Sequence, residues 1–206
     1  MNKIREPFNA YTHVFGAVLS IIGMLFLILK KANKGTIPLD ILIYGLGLFL
    51  MFLASGLYHS LNCSSKTLSF LRRLDHCSIF VLIAATYTPV IVEAANKEWR
   101  SFLLILIWTI AAAGIFFKIF FSYPSRFIYT SLYISMGWVG IFFLPKIQLP
   151  RVALFYALEG GVVYTVGALS YMLKWPNASR SLNFHNLWHI MVLLGCFFMY
   201  LMVYNL

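Results

Sequence analysis

His185 and His189 stand four residues apart, and on a helix that spacing puts both imidazoles on one face, where they can reach a single metal ion. The chain has five histidines, and such a pair arises by chance too readily to define a site alone. Other polar residues fall into register with it once the apolar segments are laid out. His59 closes the second segment, Asp75 opens the third, and His185 with His189 opens the seventh. With consecutive helices antiparallel, those places share one membrane face. Three neutral imidazoles at one level make a tetrahedral zinc site with the fourth position open, the pattern of catalytic rather than structural zinc. Asp75 could hold a water there and act as general base. Ser55, one turn before His59 on the same face, could orient that carboxylate or bind substrate.

Each residue also has a plainer reading. The three histidines could hydrogen-bond between helices without metal, and Asp75 could pair with Arg72 or Arg73 or cap the third helix. His13 and His76 are read as hydrogen-bonding or packing residues, and Cys63 as a plain loop thiol. Glu159, seven residues into the sixth segment, is a carboxylate at membrane depth. Cost alone should turn it toward the bundle interior or a water-filled cavity.

The segments themselves are set by composition. Of 206 residues, 61% are hydrophobic and only 11% charged, whereas soluble domains run near half apolar and a quarter charged. A soluble fold of this size could not hide so much apolar surface. Seven stretches reach the length of about 20 apolar residues that a bilayer requires: 11–29, 39–59, 76–95, 101–121, 127–144, 152–173 and 184–204. The expected fold is therefore an all-α integral membrane protein, a seven-helix transmembrane bundle in one domain over 1–206. The first stretch is too long for a signal-peptide core and is retained as a helix.

The net charge of +10 comes from short basic runs between apolar segments. Those runs suit anionic lipid head groups, and no basic domain exists to hold a nucleic acid. Nine Lys and Arg fall on the amino-terminal side, among them Lys3, Lys66, Lys118 and Arg180; seven fall on the other, among them Lys34 and Arg151. That bias places the amino terminus in the cytoplasm and the carboxyl terminus outside. The three cysteines form neither a disulfide framework nor a CxxC motif.

Ser55-Gly-Leu-Tyr-His59, Leu74-Asp75-His76 and His185-Asn-Leu-Trp-His189 together resemble the progestin and adipoQ receptor family, and within it the bacterial hemolysin III branch. Glu6-Pro-Phe-Asn9 with Thr12-His13, and Thr86-Tyr87-Thr88-Pro89, resemble its first- and third-helix signatures. The resemblance implies seven helices, an internal amino terminus and zinc held by His59, His185 and His189, with Asp75 positioning a water and Ser55 supporting it. Two positions depart from the pattern. Ala85 stands where a glycine is expected, and Met199 where a later histidine is common. Met199 lies about 15 Å along the helix from His189, so its departure bears on the deeper cavity rather than on the metal.

The expected function is a zinc-dependent hydrolase of a lipid amide or ester in a bacterial inner membrane, admitting its acyl chain laterally between helices. Two alternatives stand beside it: a receptor or membrane-homeostasis regulator with structural zinc, and a pore-forming cytolysin. A retinal protein is disfavoured because the seventh segment has no lysine for a Schiff base.

Overall fold

The computed structural model describes residues 4–32, 37–121, 125–179 and 183–206. Seven helices follow one another: α1 (Pro7–Lys31), α2 (Leu39–Ser60), α3 (Ser65–Ala94), α4 (Lys97–Phe120), α5 (Arg126–Trp138), α6 (Arg151–Leu173) and α7 (Phe184–Tyr204). A 3₁₀ segment, Val139–Lys146, continues α5. All seven spans are long and apolar enough to cross a membrane. Their outer faces are as apolar as their inner ones: Leu29 and Phe142 are 77% and 80% exposed. A helix that is apolar all round must be buried in something, and here that something is lipid. The chain is a multi-pass membrane protein.

The expected spans 39–59, 152–173 and 184–204 agree with α2, α6 and α7 to within a residue. The third differs, because α3 begins at Ser65 rather than at 76. Ser64 is its cap, with a hydroxyl that accepts from the Thr67 N–H at 3.3 Å. Asp75 therefore does not open or cap the helix; it lies about three turns inside. The stretch Ser65–Arg73 carries three charges, so hydropathy passes over it, yet its residues are compatible with helix. Lys3, Lys34 and Arg180, which entered the charge bias, lie outside the described residues.

The fifth span has a physical reason for its shortness. Only 13 residues are α-helical before the 3₁₀ segment of 8 begins. At about 2.0 Å per 3₁₀ residue the pair still reaches roughly 35 Å. The switch occurs where Tyr87 of α3 intervenes: its hydroxyl donates to the Gly137 carbonyl and accepts the Gly140 N–H at 3.0 Å. Those two backbone groups are drawn out of the α pattern at the point of change.

Lipid tails give helices no hydrophobic reason to associate, so close approach at small residues must supply it. α1 packs along α2, α2 along α3 and α6 along α7, while α1 also meets α7 and closes the bundle. α2 and α3 touch at Gly47, where an added Cβ would sit 2.5 Å from the Cβ of Ala85. Ala85 is thus accommodated by a glycine on the opposite helix. α6 meets α7 through Gly160 and Gly167, one heptad apart and both buried. At Gly167 an added Cβ would lie 2.6 Å from the Cβ of Met191.

The α2–α3 contact makes a test. Gly47→Ala forces two backbones apart and should cost about 1–3 kcal/mol, read as a lower melting midpoint in detergent. Moving the methyl across, in Gly47→Ala with Ala85→Gly, should restore most of the loss. Equal melting of Gly47→Ala and wild type would show that the close approach does not exist.

Candidate metal centre

The polar residues of the bundle collect at the end that carries the amino terminus. His59 lies in the last turn of α2, and His185 and His189 in the first two turns of α7. The start of α7 is fixed by Asn183, whose side-chain oxygen accepts the backbone N–H groups of His185 and Asn186 at 3.0 and 2.9 Å. An N-cap of this kind satisfies two donors that have no partner within the helix, and it sets where His185 points. The i, i+4 spacing then carries His189 onto the same face.

The three rings meet. Ring centres are 4.6 Å apart for His59 and His189, 5.1 Å for His59 and His185, and 5.0 Å for His185 and His189. One nitrogen from each lies within 4.8 Å of the others. Imidazole nitrogens on one tetrahedral zinc stand roughly 3.3 Å apart, given Zn–N distances of about 2.0–2.1 Å, so small side-chain movements close the set. His189 is 2% exposed, and its buried Nδ1 has no hydrogen-bond partner among the described residues. A buried imidazole with an orphaned nitrogen carries a desolvation cost. The donor chemistry, the convergence and the orphaned ring all fit a zinc ion.

Asp75 and Ser55 are brought to the same place. Ser55 of α2, 2% exposed, lines the same end of the bundle as Asp75 of α3, and Asp75 is within electrostatic reach of His59. Asp75 is not among the mutually close ligand atoms, so it stands beside the histidines rather than with them.

His13 packs with its ring centre 4.0 Å from that of His189 and edge-on to Phe52. Both of its nitrogens are buried without a hydrogen-bond partner among the described residues. His76 packs against Tyr129 at 4.9 Å, with its carbonyl accepting from the Tyr133 hydroxyl. Cys63 is exposed in the loop between α2 and α3. Glu159 corrects the expectation made for it. It is half-buried and lies on the flank of α6 shared with the exposed Phe155, Val162 and Val166. The line through Gly160 and Gly167 takes the inward position, and Glu159 is about 100° round the helix from it.

One residue at the site was not singled out from the sequence for any chemistry. The carboxylate of Glu6, just ahead of α1, accepts a hydrogen bond from Nδ1 of His59 at 2.8 Å, and Asn9 donates to the same oxygen at 3.1 Å. The hydrogen bond from His59 holds the Glu6 carboxyl at about 2, against burial that pushes it up, with the His59 charge, Asn9 and Arg5 adding to the downward pull. The signal available was its place in the Glu6-Pro-Phe-Asn9 signature. Its partner 53 residues away was not visible there.

A cavity of about 410 Å³ opens beneath the histidines. Ser55, Asp75, His185 and His189 line its polar end, with Arg72 and Arg126 also in its wall. From there it runs between α3, α5, α6 and α7 past Ile83 and Val192 to Met199 and Met202. Its size falls in the range of ligand sites. Met199, the departure noted in the sequence, lines the deep end.

Fold and site together define a seven-helix membrane protein with a convergent histidine cluster at one end of an intramembrane cavity. The family model described as "Haemolysin-III related" matches residues 1–200, and the chain belongs to that family. It is 37% identical to "Hemolysin-3" of Bacillus cereus over 96% of this chain and 90% of that one. It is 36% identical to the "Hemolysin-3 homolog" of Bacillus subtilis over 95% and 91%. A more distant relative is the human "Monocyte to macrophage differentiation factor", 25% identical over 89% of this chain and 76% of that one.

Proposed function

We propose that this protein is a zinc-dependent hydrolase of a lipid amide or ester, with His59, His185 and His189 as the metal ligands. One observation carries the reading: three ligand nitrogens converge at the polar end of a cavity whose remaining walls are largely apolar. Zinc held there would polarise a substrate carbonyl and lower the pKa of water toward neutrality. The chain's own residues do the rest. Asp75, beside Ser55 at the polar end of the cavity, would take a proton from water and return it to the departing amine or alcohol. The apolar wall seats an acyl chain out of water, and Arg72 and Arg126 at the polar end suit an anionic head group.

A second reading has an observation of its own. α2 and α7 are not packing partners along their lengths, and α1 runs between them. A metal on His59, His185 and His189 would tie the two together, as in a receptor or regulator with structural zinc.

Purified wild type should contain about one zinc per chain, measured by elemental analysis, and His59→Ala, His185→Ala and His189→Ala should each lose most of it. In the same preparations Asp75→Asn should keep its zinc and lose turnover by roughly a hundredfold or more, because an amide cannot accept the proton. Lipid mass analysis with wild type identifies the substrate on which turnover is read. Full zinc in all three histidine variants would remove the metal site. Unchanged turnover in zinc-loaded Asp75→Asn would remove the base, and a wild type that cleaves no lipid amide or ester would favour the structural reading.

The basic bias supports a site face toward the cytoplasm of a bacterial inner membrane. Cys63 is a native reporter of that face. A membrane-impermeant maleimide should label it, judged against Cys63→Ser, only after the cells are opened; labelling of intact cells would reverse the orientation.

A further inference from the structure

Glu6 occupies the N-cap position of α1, but its side chain makes no cap hydrogen bond. It turns to α2 instead. The main chain turns the same way, with the Glu6 N–H donating to the His59 carbonyl at 3.0 Å and the Arg5 N–H to the Ser60 carbonyl at 3.4 Å. Arg5 adds two side-chain anchors on the same turn: a hydrogen bond to the Tyr58 carbonyl and a guanidinium 4.3 Å from the centre of the Tyr58 ring. Backbone and side chain thus strap the start of α1 to the last turn of α2 at the level of His59.

The carboxylate is held as firmly as the backbone. One oxygen takes the His59 Nδ1 and Asn9 hydrogen bonds, and the other lies 3.4 Å from Arg5. Nδ1 of His185 lies 3.8 Å from the first oxygen, beyond hydrogen-bond reach. An ionised carboxylate only accepts, so Nδ1 of His59 must carry its proton there. A neutral imidazole has one N–H, which leaves the lone pair on Nε2. The ring is 1% exposed, so no bulk water competes for either nitrogen.

We propose that Glu6 is a positioning residue of the metal centre: it fixes the Nδ1–H tautomer and the ring orientation of His59, so that Nε2 is the nitrogen offered to the metal, with Arg5 and Asn9 holding the carboxylate in place. The inference rests on the metal reading of the three histidines and adds a residue that touches neither metal nor substrate. Outer carboxylates of this kind raise the basicity of the ligand and remove the cost of orienting it when the metal binds.

The test has two readouts, neither of them activity. The first is the His59 tautomer in metal-free full-length wild type, from ¹⁵N chemical shifts of the imidazole nitrogens. Nδ1 should be protonated and Nε2 bare in wild type, and the preference should be lost in Glu6→Ala. The second is zinc affinity by chelator competition, on variants whose metal-free melting matches wild type. Glu6→Ala should bind zinc about ten- to a hundredfold more weakly. Glu6→Gln, which can still accept from Nδ1 but brings no charge, should fall between. A purely structural role for Glu6 would lower melting without moving the tautomer. Wild-type His59 protonated on Nε2 overturns the proposal even if Glu6→Ala does not fold, and so does zinc bound equally tightly by wild type and both variants. A wild type that takes up no zinc at all is a different failure: it removes the metal reading itself, and this inference with it.

Discussion

Hydrocarbon offers no hydrogen bonds, so a bundle in lipid can keep a polar cluster only where its members satisfy one another or hold something that does. In this chain that constraint gathers His59, Ser55, Asp75, His185 and His189 at one end of the helices. The decisive contact is the meeting of His59 with the two α7 histidines at ring-centre distances of 4.6 and 5.1 Å. α2 and α7 do not pack along their lengths, so the approach is built indirectly. α1 lies between them, fastened to the last turn of α2 by Arg5 and Glu6 and filled in beside His189 by His13. The Asn183 cap sets the first turn of α7 from the other side.

The interior below the cluster follows from how the helices associate. Small residues bring α1 to α2, α2 to α3 and α6 to α7. α5 has a looser small-residue contact, with an added Cβ at Gly161 of α6 lying 3.1 Å from the Trp138 ring. It is also pinned by Tyr87 at its change to 3₁₀ and by the Trp138 indole, which donates to the Thr165 hydroxyl at 2.9 Å. The cavity runs beside this less tightly joined helix. The cavity so formed has a polar end at the histidines and a largely apolar remainder.

Much of this was legible in the sequence, for reasons that differ by residue. Seven spans follow from hydropathy because lipid selects composition directly. His185 and His189 follow from helical spacing, and His59 joins them because alternating helix direction fixes which ends share a face. Asp75 lines the same cavity end as His185 and His189, but inside α3 rather than at its start. Hydropathy marks apolar stretches, whereas Ser65–Arg73 is helix that carries three charges. Glu159 was expected inside on cost alone, but the helix face is set by Gly160 and Gly167, which left the carboxylate on the flank. Glu6 was hidden because its partner lies 53 residues away, and only the tertiary fold shows its side chain turned to His59.

The proposed chemistry depends on one coordination sphere. Zinc-edge X-ray absorption of the purified protein measures it without reference to substrate, orientation or turnover. Three imidazole nitrogens with an additional light-atom ligand, at zinc distances of about 2.0–2.1 Å and without sulfur, are the expected result. A sphere containing sulfur at about 2.3 Å, or one of six oxygens, would place the metal elsewhere and contradict the assignment of His59, His185 and His189.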